Sequence, residues 1–390
     1  MGDKMYRNTY VEINVNQIKK NIENIIKFNN DYKYYIGVVK GNAYGHGLKV
    51  AKWLIEGGIN YLAVSTLDEA LTIRNEVCKD IPILILQPVD LEYIDICCKN
   101  DIAITISNYT YGKKLLELDI KNLKVHMKID TGMNRLGLND KEEINNLYKN
   151  IIESENIILE GIYTHLSTVG IVDNRFDKQI YTFKELTKDI DLNKIKIIHI
   201  FSSNAFAIHP KLDFTNGVRL GIIMYGIGPR NLNNNGLKNH LKKIKRDMIR
   251  KSLNLSPIND SFSVDVKPVL SLCSEVCEIK NVKKGDYVGY GNRYQIQEDS
   301  KVAIVPVGYM DGLSLRHSGR NVIINNKKYP IIGAINMGMI TVKVDDSVKE
   351  KDKVIIITNI REEAGYVGTT PHQLLTSISP NLDRIYKEVK

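Results

Sequence analysis

YIGVVKGNAYGHG, residues 35–47, sets a short apolar run, Tyr35–Val39, directly against a lysine and a glycine-rich loop. A brief apolar run bounded by glycine reads as a buried strand. Working outward, seven more such runs follow: Tyr61–Val64, Ile83–Leu86, Ile102–Thr105, Val125–Ile129, Ile157–Thr164, Lys196–Phe201 and Val218–Ile223. Between them lie amphipathic segments that predict helices, among them Leu67–Glu76, Leu91–Lys99, Glu142–Glu153 and Phe176–Asp189. Strands alternating with helices make βαβ units and a parallel sheet. Eight of them before Tyr225 predict an α/β fold, a closed (β/α)8 TIM-type barrel. A doubly wound open sheet is the alternative that the same alternation allows.

After Tyr225 the texture changes. Residues 231–262 are rich in Asn, Lys and Arg, including Lys242, Lys243, Lys245 and Arg246, and read as a solvated connection carrying a basic helix. From Val264 onward short β-rich runs recur between glycines, which predicts a mainly β C-terminal domain. The expected division is a barrel over 12–235 and a β domain over 236–390, the latter joined by an N-terminal strand from residues 1–11.

A chain of 390 residues suits two domains, and its composition is that of an ordinary globular protein. The five cysteines, Cys78, Cys97, Cys98, Cys273 and Cys277, show no metal-like pairing and suit reduced thiols in a cytoplasm. The opening residues hold no apolar run of signal-peptide length, and no stretch reaches the ~18 apolar residues of a membrane span. Neither export nor a membrane partner is expected. The net charge of +9 is spread along the chain, so nucleic acid is not expected as a partner either.

Catalytic groups of a barrel gather at the C-terminal ends of its strands. Lys40 stands at the first such end, and Schiff-base chemistry needs an unprotonated amine, which desolvation or nearby positive charge provides. The fifth run leads into Lys128, Asp130 and a loop holding Arg135. The sixth ends in Tyr163, Thr164 and His165; the seventh gives His199 and then Ser202, Ser203 and Asn204; the eighth carries Arg219 and then Gly221. Barrel phosphate sites are often built after strands seven and eight, which points to Ser203 and the amides around Gly221 and Ile222. Taken singly, His165 or His199 reads as a satisfied core histidine and Arg219 as a structural ion pair. Their placement at one end is what those readings leave unexplained.

The segments VVKGNAYGHG (38–47), VHMKIDTGMNRLG (125–137), GIYTHLS (161–167), VRLGIIMYG (218–226), YVGYGNRY (287–294), VPVGYMDG (305–312) and IIGAINMGM (331–339) resemble, in order, the motifs of the alanine racemase family. The resemblance runs from Tyr10 to Tyr386. It implies a racemase dependent on pyridoxal 5'-phosphate that supplies D-alanine for peptidoglycan, with Lys40 carrying the cofactor. It implies that Arg219 faces the pyridine nitrogen; a guanidinium cannot accept a proton, so that nitrogen stays unprotonated and the ring is a weaker electron sink. Tyr44, Ser203, Gly221 and Ile222 match phosphate-binding positions.

By the same resemblance Tyr290 is the second acid/base, Lys40 serving the D-enantiomer face and Tyr290 the L-enantiomer face. A free phenol, with pKa about 10, is a poor base at neutral pH, and the family aids it through the histidine matching His165, which contacts Arg219. Arg135 matches an arginine contacting cofactor and substrate carboxylate. Lys128 matches a lysine carbamylated in many members; unmodified, its charge would repel Arg135. Tyr309 and Met337 match substrate-side positions. The family implies a head-to-tail homodimer in which Tyr290, Tyr309 and Met337 act in the other subunit's site.

Three departures stand out. Asn336-Met337-Gly338-Met339 replaces the usual Cys-Met-Asp-Gln, removing an acidic side chain near the substrate. His372 stands where the family has a phosphate-contacting tyrosine, and residues 231–262 exceed the usual connection. The loss at Gly338 motivates a second reading, a racemase for serine or a broader set of amino acids. A non-catalytic pyridoxal-phosphate barrel protein would lack the β domain and Tyr290. A decarboxylase of basic amino acids would share the two-domain layout but not this lysine environment.

Overall fold

The computed structural model describes residues 6–169, 173–229, 237–258 and 264–388. The chain forms two compact units, one of residues 19–40 and 51–266, the other of residues 1–18, 41–50 and 267–390.

The first strand, β1 (Tyr10–Asn14), belongs to the second unit. The first unit is built on β2 (Tyr34–Val38), β3 (Tyr61–Val64), β4 (Ile83–Ile85), β5 (Ile102–Ile106), β6 (Leu123–Lys128), β7 (Ile157–Tyr163), β8 (Ile197–Ser202) and β9 (Gly217–Leu220). These eight parallel strands close into a barrel in chain order, as the alternation predicts, rather than an open sheet. Closure pairs Tyr34 with Gly217 and Gly37 with Leu220. Every residue of β3, β4 and β5 is buried, because strands inside a ring of helices are covered on both faces.

The intervening helices begin at side chains that accept free amides. Thr66, Asn108 and Asp140 cap the helices Leu67–Glu76, Tyr109–Leu116 and Lys141–Glu153. The segment Leu91–Lys99, expected as one helix, is a 3-10 turn Leu91–Tyr93 followed by a helix Ile94–Lys99. The last strand stops at Leu220, short of Ile223, because Gly221 leaves the extended conformation and a 3-10 turn, Ile222–Tyr225, begins.

Helix Leu237–Ser252 belongs to this unit, not to the β domain. Its Lys245 and Lys251 are exposed, as a solvated basic helix requires, but Arg246 and Arg250 are buried. Beyond it, the Ser256 amide donates to Asp177 Oδ1 at 2.9 Å, tying the segment to helix Arg175–Leu186. Residues 231–236 and 259–262 of the expected connection lie outside the described residues.

The second unit holds β10 (Leu270–Glu275), β11 (Glu278–Val282), β12 (Tyr287–Val288), β13 (Tyr294–Gln295), β14 (Ser300–Val305), β15 (Asn321–Ile324), β16 (Lys327–Ile332), β17 (Ile340–Val344), β18 (Lys353–Ile357) and β19 (Arg384–Lys387). Its nine-stranded sheet runs β11-β14-β17-β16-β15-β18-β10-β1-β19, with β12 and β13 paired apart. β1 lies antiparallel to β10 and parallel to β19, Val11 facing Leu272 on one side and Arg384 on the other. The boundaries thus differ from 12–235 and 236–390: residues 12–18 and 41–50 go with the sheet, and 236–266 with the barrel. For 41–50 the cause is local. Arg384 donates to the Gly45 carbonyl through Nε at 3.2 Å and Nη2 at 3.1 Å, and Tyr386 OH donates to the His46 carbonyl. Among the described residues no helix is long and apolar enough to cross a membrane.

Candidate active site

In the barrel unit Lys40 is separated from the end of β2 by one residue, Val39, whose amide fixes the strand's continuation by donating to Ala63 O at 2.8 Å. Loss of hydration lowers the pKa of the Lys40 amine, and Arg135 and Arg219 lower it further against an opposing pull from Glu69. The side chain still reaches solvent. An accessible amine that gives up its proton more readily than an ordinary lysine is a nucleophile.

Arg219, on β9, is buried and donates in several directions at once. Nη1 reaches His199 Nδ1 and His199 O, both at 2.7 Å. Nη2 reaches Thr164 O at 2.7 Å, Ile200 O at 2.9 Å and His165 Nδ1 at 3.3 Å. The guanidinium also lies 5.2 Å from the Tyr163 ring centroid. A planar fork engaged along two edges has one orientation. Burial, then Arg219, pushes the His165 pKa down to about 3, so its ring is neutral and free to accept from Arg219. The expected His165–Arg219 contact is therefore present.

Lys128 ends β6, is buried, and stands 5.7 Å from the Tyr163 ring centroid. Burial, Arg135 and Arg219 bring its amine down to about 8. Arg135 is exposed on a loop whose start is pinned by Asp130: Oδ1 accepts from the amides of Gly132, Met133 and Asn134 at 3.0, 2.9 and 3.1 Å. Ser203 Oγ accepts from the Gly221 amide at 2.9 Å, which brings two of the expected phosphate residues together beside Ile222.

In the sheet unit, Gly41, Asn42 and Ala43 have φ of 63, 52 and 53° with ψ of 48–49°, and Tyr44 continues at φ 54°. This is one turn of left-handed helix, a conformation costing non-glycine residues roughly 1–2 kcal/mol each. Its amides are satisfied: Gly45 N donates to Gly41 O, Gly47 N to Asn42 O and Leu48 N to Asn42 Oδ1, at 3.0, 2.9 and 3.0 Å. Tyr44 is buried, and its ring centroid is 5.8 Å from that of His372.

Tyr290 begins a 3-10 turn between Gly289 and Gly291, both at φ 74°, and is 76 % exposed. It lines an open cleft of about 320 Å³ with Arg293, Tyr294, Leu315 and Ile335. Tyr309 and Met337 are also exposed, and their loops are joined, Tyr309 N donating to Asn336 O at 3.1 Å and Met310 N to Met337 O at 3.0 Å. The structure thus gathers Lys40, Lys128, His165 and Arg219 in one unit, and pairs Tyr44 with His372 and Tyr309 with Met337 in the other.

A barrel with a lysine after its first strand, carried in one chain with a mainly β second domain, is the layout of the two-domain amino-acid racemases, which decarboxylases of basic amino acids share, and the sequence relatives decide for the racemases. The chain belongs to the alanine racemase family: the model of the alanine racemase N-terminal domain matches residues 13–229, and that of the C-terminal domain residues 269–386. Alanine racemase 1 of Bacillus subtilis is 30% identical, covering 98% of this chain and 94% of its own length. The crystal structure of alanine racemase from Bacillus anthracis with bound L-Ala-P has a TM-score of 0.81 at 32% identity, covering 98% of this chain and 96% of that one. Alanine racemase from E. faecalis superposes with a TM-score of 0.84 at 27% identity, covering 99% and 100%.

Sequence reasoning passed over part of the polar interior. Gln179 joins two loops, its Oε1 accepting from Ser167 N at 2.9 Å and its Nε2 donating to Thr131 Oγ1 at 3.2 Å. His126 and Glu160, buried within β6 and β7, were not singled out at all. Glu160 is the one charged side chain in an otherwise apolar strand, whereas His126 lies between Lys124 and Lys128 and does not stand out.

Proposed function

We propose that this enzyme interconverts L- and D-alanine using pyridoxal 5'-phosphate carried by Lys40, with Tyr290 of a second copy of the chain as the opposing acid/base. The observation that carries the reading is the Lys40 amine, reachable from solvent yet lowered in pKa by its surroundings, Arg135 and Arg219 included.

The residues present fit the cofactor. The lysine supplies the amine that condenses with an aldehyde, and Arg219, immobilised by its hydrogen bonds, would face the ring nitrogen without giving it a proton. In the barrel unit Ser203 and the amides of Gly221 and Ile222 are donors suited to a phosphate, and in the sheet unit Tyr44 and His372 are donors of the same kind. When bound, the group supplies an aldehyde for the substrate amine and a conjugated ring that spreads the charge left as the α-proton departs.

This chain's own residues do the rest. Lys40 Nζ takes or returns the α-proton on one face, and the Tyr290 hydroxyl does so on the other. Arg135 binds the substrate carboxylate, and carbamylation of Lys128 would replace its repulsion of Arg135 with attraction. Tyr309 and Met337 border the substrate. Tyr290, Tyr309, Leu315, Met337 and Met339 are all exposed, an apolar surface suited to burial against a second subunit in a homodimer. All five cysteines are free thiols, which suits the cytoplasm.

Titrating purified protein with pyridoxal phosphate while recording absorbance, then assaying racemisation over a panel of amino acids, tests this. A visible band that is lost in Lys40→Ala, with alanine the fastest substrate, is expected. A protein that stays colourless sinks the cofactor assignment; serine outrunning alanine sinks the substrate.

A further inference from the structure

Hydrogen bonds continue from Arg219 through the barrel interior, away from the strand ends that hold Lys40. His199 Nε2 lies 2.9 Å from His126 Nδ1, and His126 Nε2 lies 3.3 Å from Glu160 Oε2. Glu160 Oε2 also accepts from Tyr61 OH at 2.7 Å, and Oε1 from Lys196 Nζ at 2.7 Å. His126 and His199 are fully buried, and Glu160 is 3 % exposed.

Only one arrangement of protons satisfies this chain. Arginine can only donate, so His199 Nδ1 is an acceptor and its proton sits on Nε2. That proton points at His126 Nδ1, which must accept, leaving the His126 proton on Nε2, aimed at Glu160. Every bond therefore runs in the same sense, from guanidinium through two neutral imidazoles to a carboxylate. Burial drives both rings toward the neutral form, ahead of Glu160's opposing pull on His126. Burial would also raise the Glu160 carboxyl, but its bonds to His126, Lys196 and Tyr61 outweigh this and hold it below the usual carboxylate range.

The surroundings are shaped for these rings. Tyr163 stacks on His199 with centroids 4.6 Å apart and planes 12° from parallel. A Cβ on Gly161 would stand 2.3 Å from His126 Nδ1, so only glycine leaves room for the imidazole.

We propose that Glu160 is a positioning residue for Arg219: acting through His126 and His199, it fixes both tautomers so that an acceptor, not a second donor, meets the guanidinium. The proposal rests on the reading of Arg219 as the partner of the cofactor ring. Without the carboxylate, the His126 proton is held on Nε2 only by Arg219, at the far end of the chain. If it moves to Nδ1, it faces the His199 Nε2 proton, and relief of that clash shifts the His199 proton to Nδ1, where it meets the Arg219 guanidinium.

The test uses Glu160→Gln, which keeps an acceptor oxygen but removes the charge, Glu160→Ala, which removes both, and Gly161→Ala, which displaces His126. Nitrogen-15 histidine spectra of the cofactor-free protein report tautomers directly, His126→Asn and His199→Asn identifying the signals. Wild type should show both rings neutral and protonated at Nε2, and each variant should shift both sets of signals. In the loaded enzyme kcat should fall on the order of tenfold in Glu160→Gln and more in Glu160→Ala, the range that outer partners of a charged site command, with KM for alanine within about twofold. Unchanged histidine signals in Glu160→Gln, or changed signals with wild-type kcat, overturn the proposal. Should wild type fail to bind pyridoxal phosphate or racemise, the functional reading falls, while the histidine spectra still decide whether Glu160 sets the tautomers.

Discussion

Gly45 rests against the main-chain carbonyl of Leu375: a Cβ on Gly45 would stand 2.3 Å from that oxygen, and the residue is held at φ +80°. The loop that follows Lys40 is thus docked backbone to backbone, where a side chain has no room to turn aside. Gly45→Ala should cost about 1–2 kcal/mol from the left-handed backbone alone, with the clash added. Thermal unfolding of the purified variant checks it; a melting temperature equal to wild type would show that the loop sits elsewhere.

Asp130 organises the loop of Arg135 by capping three successive amides through one oxygen. Asp130→Ala should lower stability by about 1–2 kcal/mol. It should also raise KM for alanine more than it lowers kcat, because the arginine loses its platform rather than its charge. Steady-state kinetics and denaturant unfolding on one preparation separate the two effects.

Arg219→Lys keeps a positive charge but replaces a rigid fork with three donors on one nitrogen. One ammonium cannot serve His199 Nδ1, Thr164 O, Ile200 O and His165 Nδ1 together. The acceptors left buried and unpaired should cost on the order of 2–4 kcal/mol, and racemisation should fall far more than it would for an exposed conservative change. A melting curve matching wild type would contradict the packing described for Arg219.

Lys128 carries a pH signature. Its pKa is about 8 in the folded chain against 10.5 ordinarily. Between those values the unfolded chain binds the extra proton, so stability rises as pH climbs from about 8 to 10.5 and the penalty is fully present below 8. The gain should approach about 3 kcal/mol if the amine is unmodified. Lys128→Met should remove the rise. At pH 8 about half of these amines are unprotonated, the form that adds carbon dioxide. Bicarbonate should therefore raise the wild-type melting temperature and leave Lys128→Met unchanged; equal responses would exclude carbamylation as the cause.

Much of this architecture was legible before the structure. Apolar runs ending in polar residues located the barrel strands because strand burial on both faces writes an uninterrupted signal, as in ILI of β4. The strand-end residues Lys40, His165 and Arg219 followed from the same periodicity. Glu160 was not legible: a polar residue within a strand does not reveal whether it meets solvent or a buried imidazole. Nor was the left-handed turn fully so. Gly41, Gly45 and Gly47 announce unusual backbone, but nothing in the side chains of Ala43 and Tyr44 announces that they share its positive φ. The allegiance of residues 41–50 to the sheet unit depends on Leu375, Arg384 and Tyr386, more than three hundred residues away, and no local pattern carries that.

Because β1 is clasped between β10 and β19, it leaves the ribosome before the whole barrel and finds its partners only after Leu270–Glu275 and Arg384–Lys387 have been translated. Residues 19–40 and 51–266 can assemble meanwhile, whereas Tyr10–Asn14 must wait with its hydrogen-bonding edges bare. Premature termination before Arg384 would strand that edge permanently, so nonsense products of this protein should be captured by chaperones or aggregate even when the catalytic barrel has been made in full.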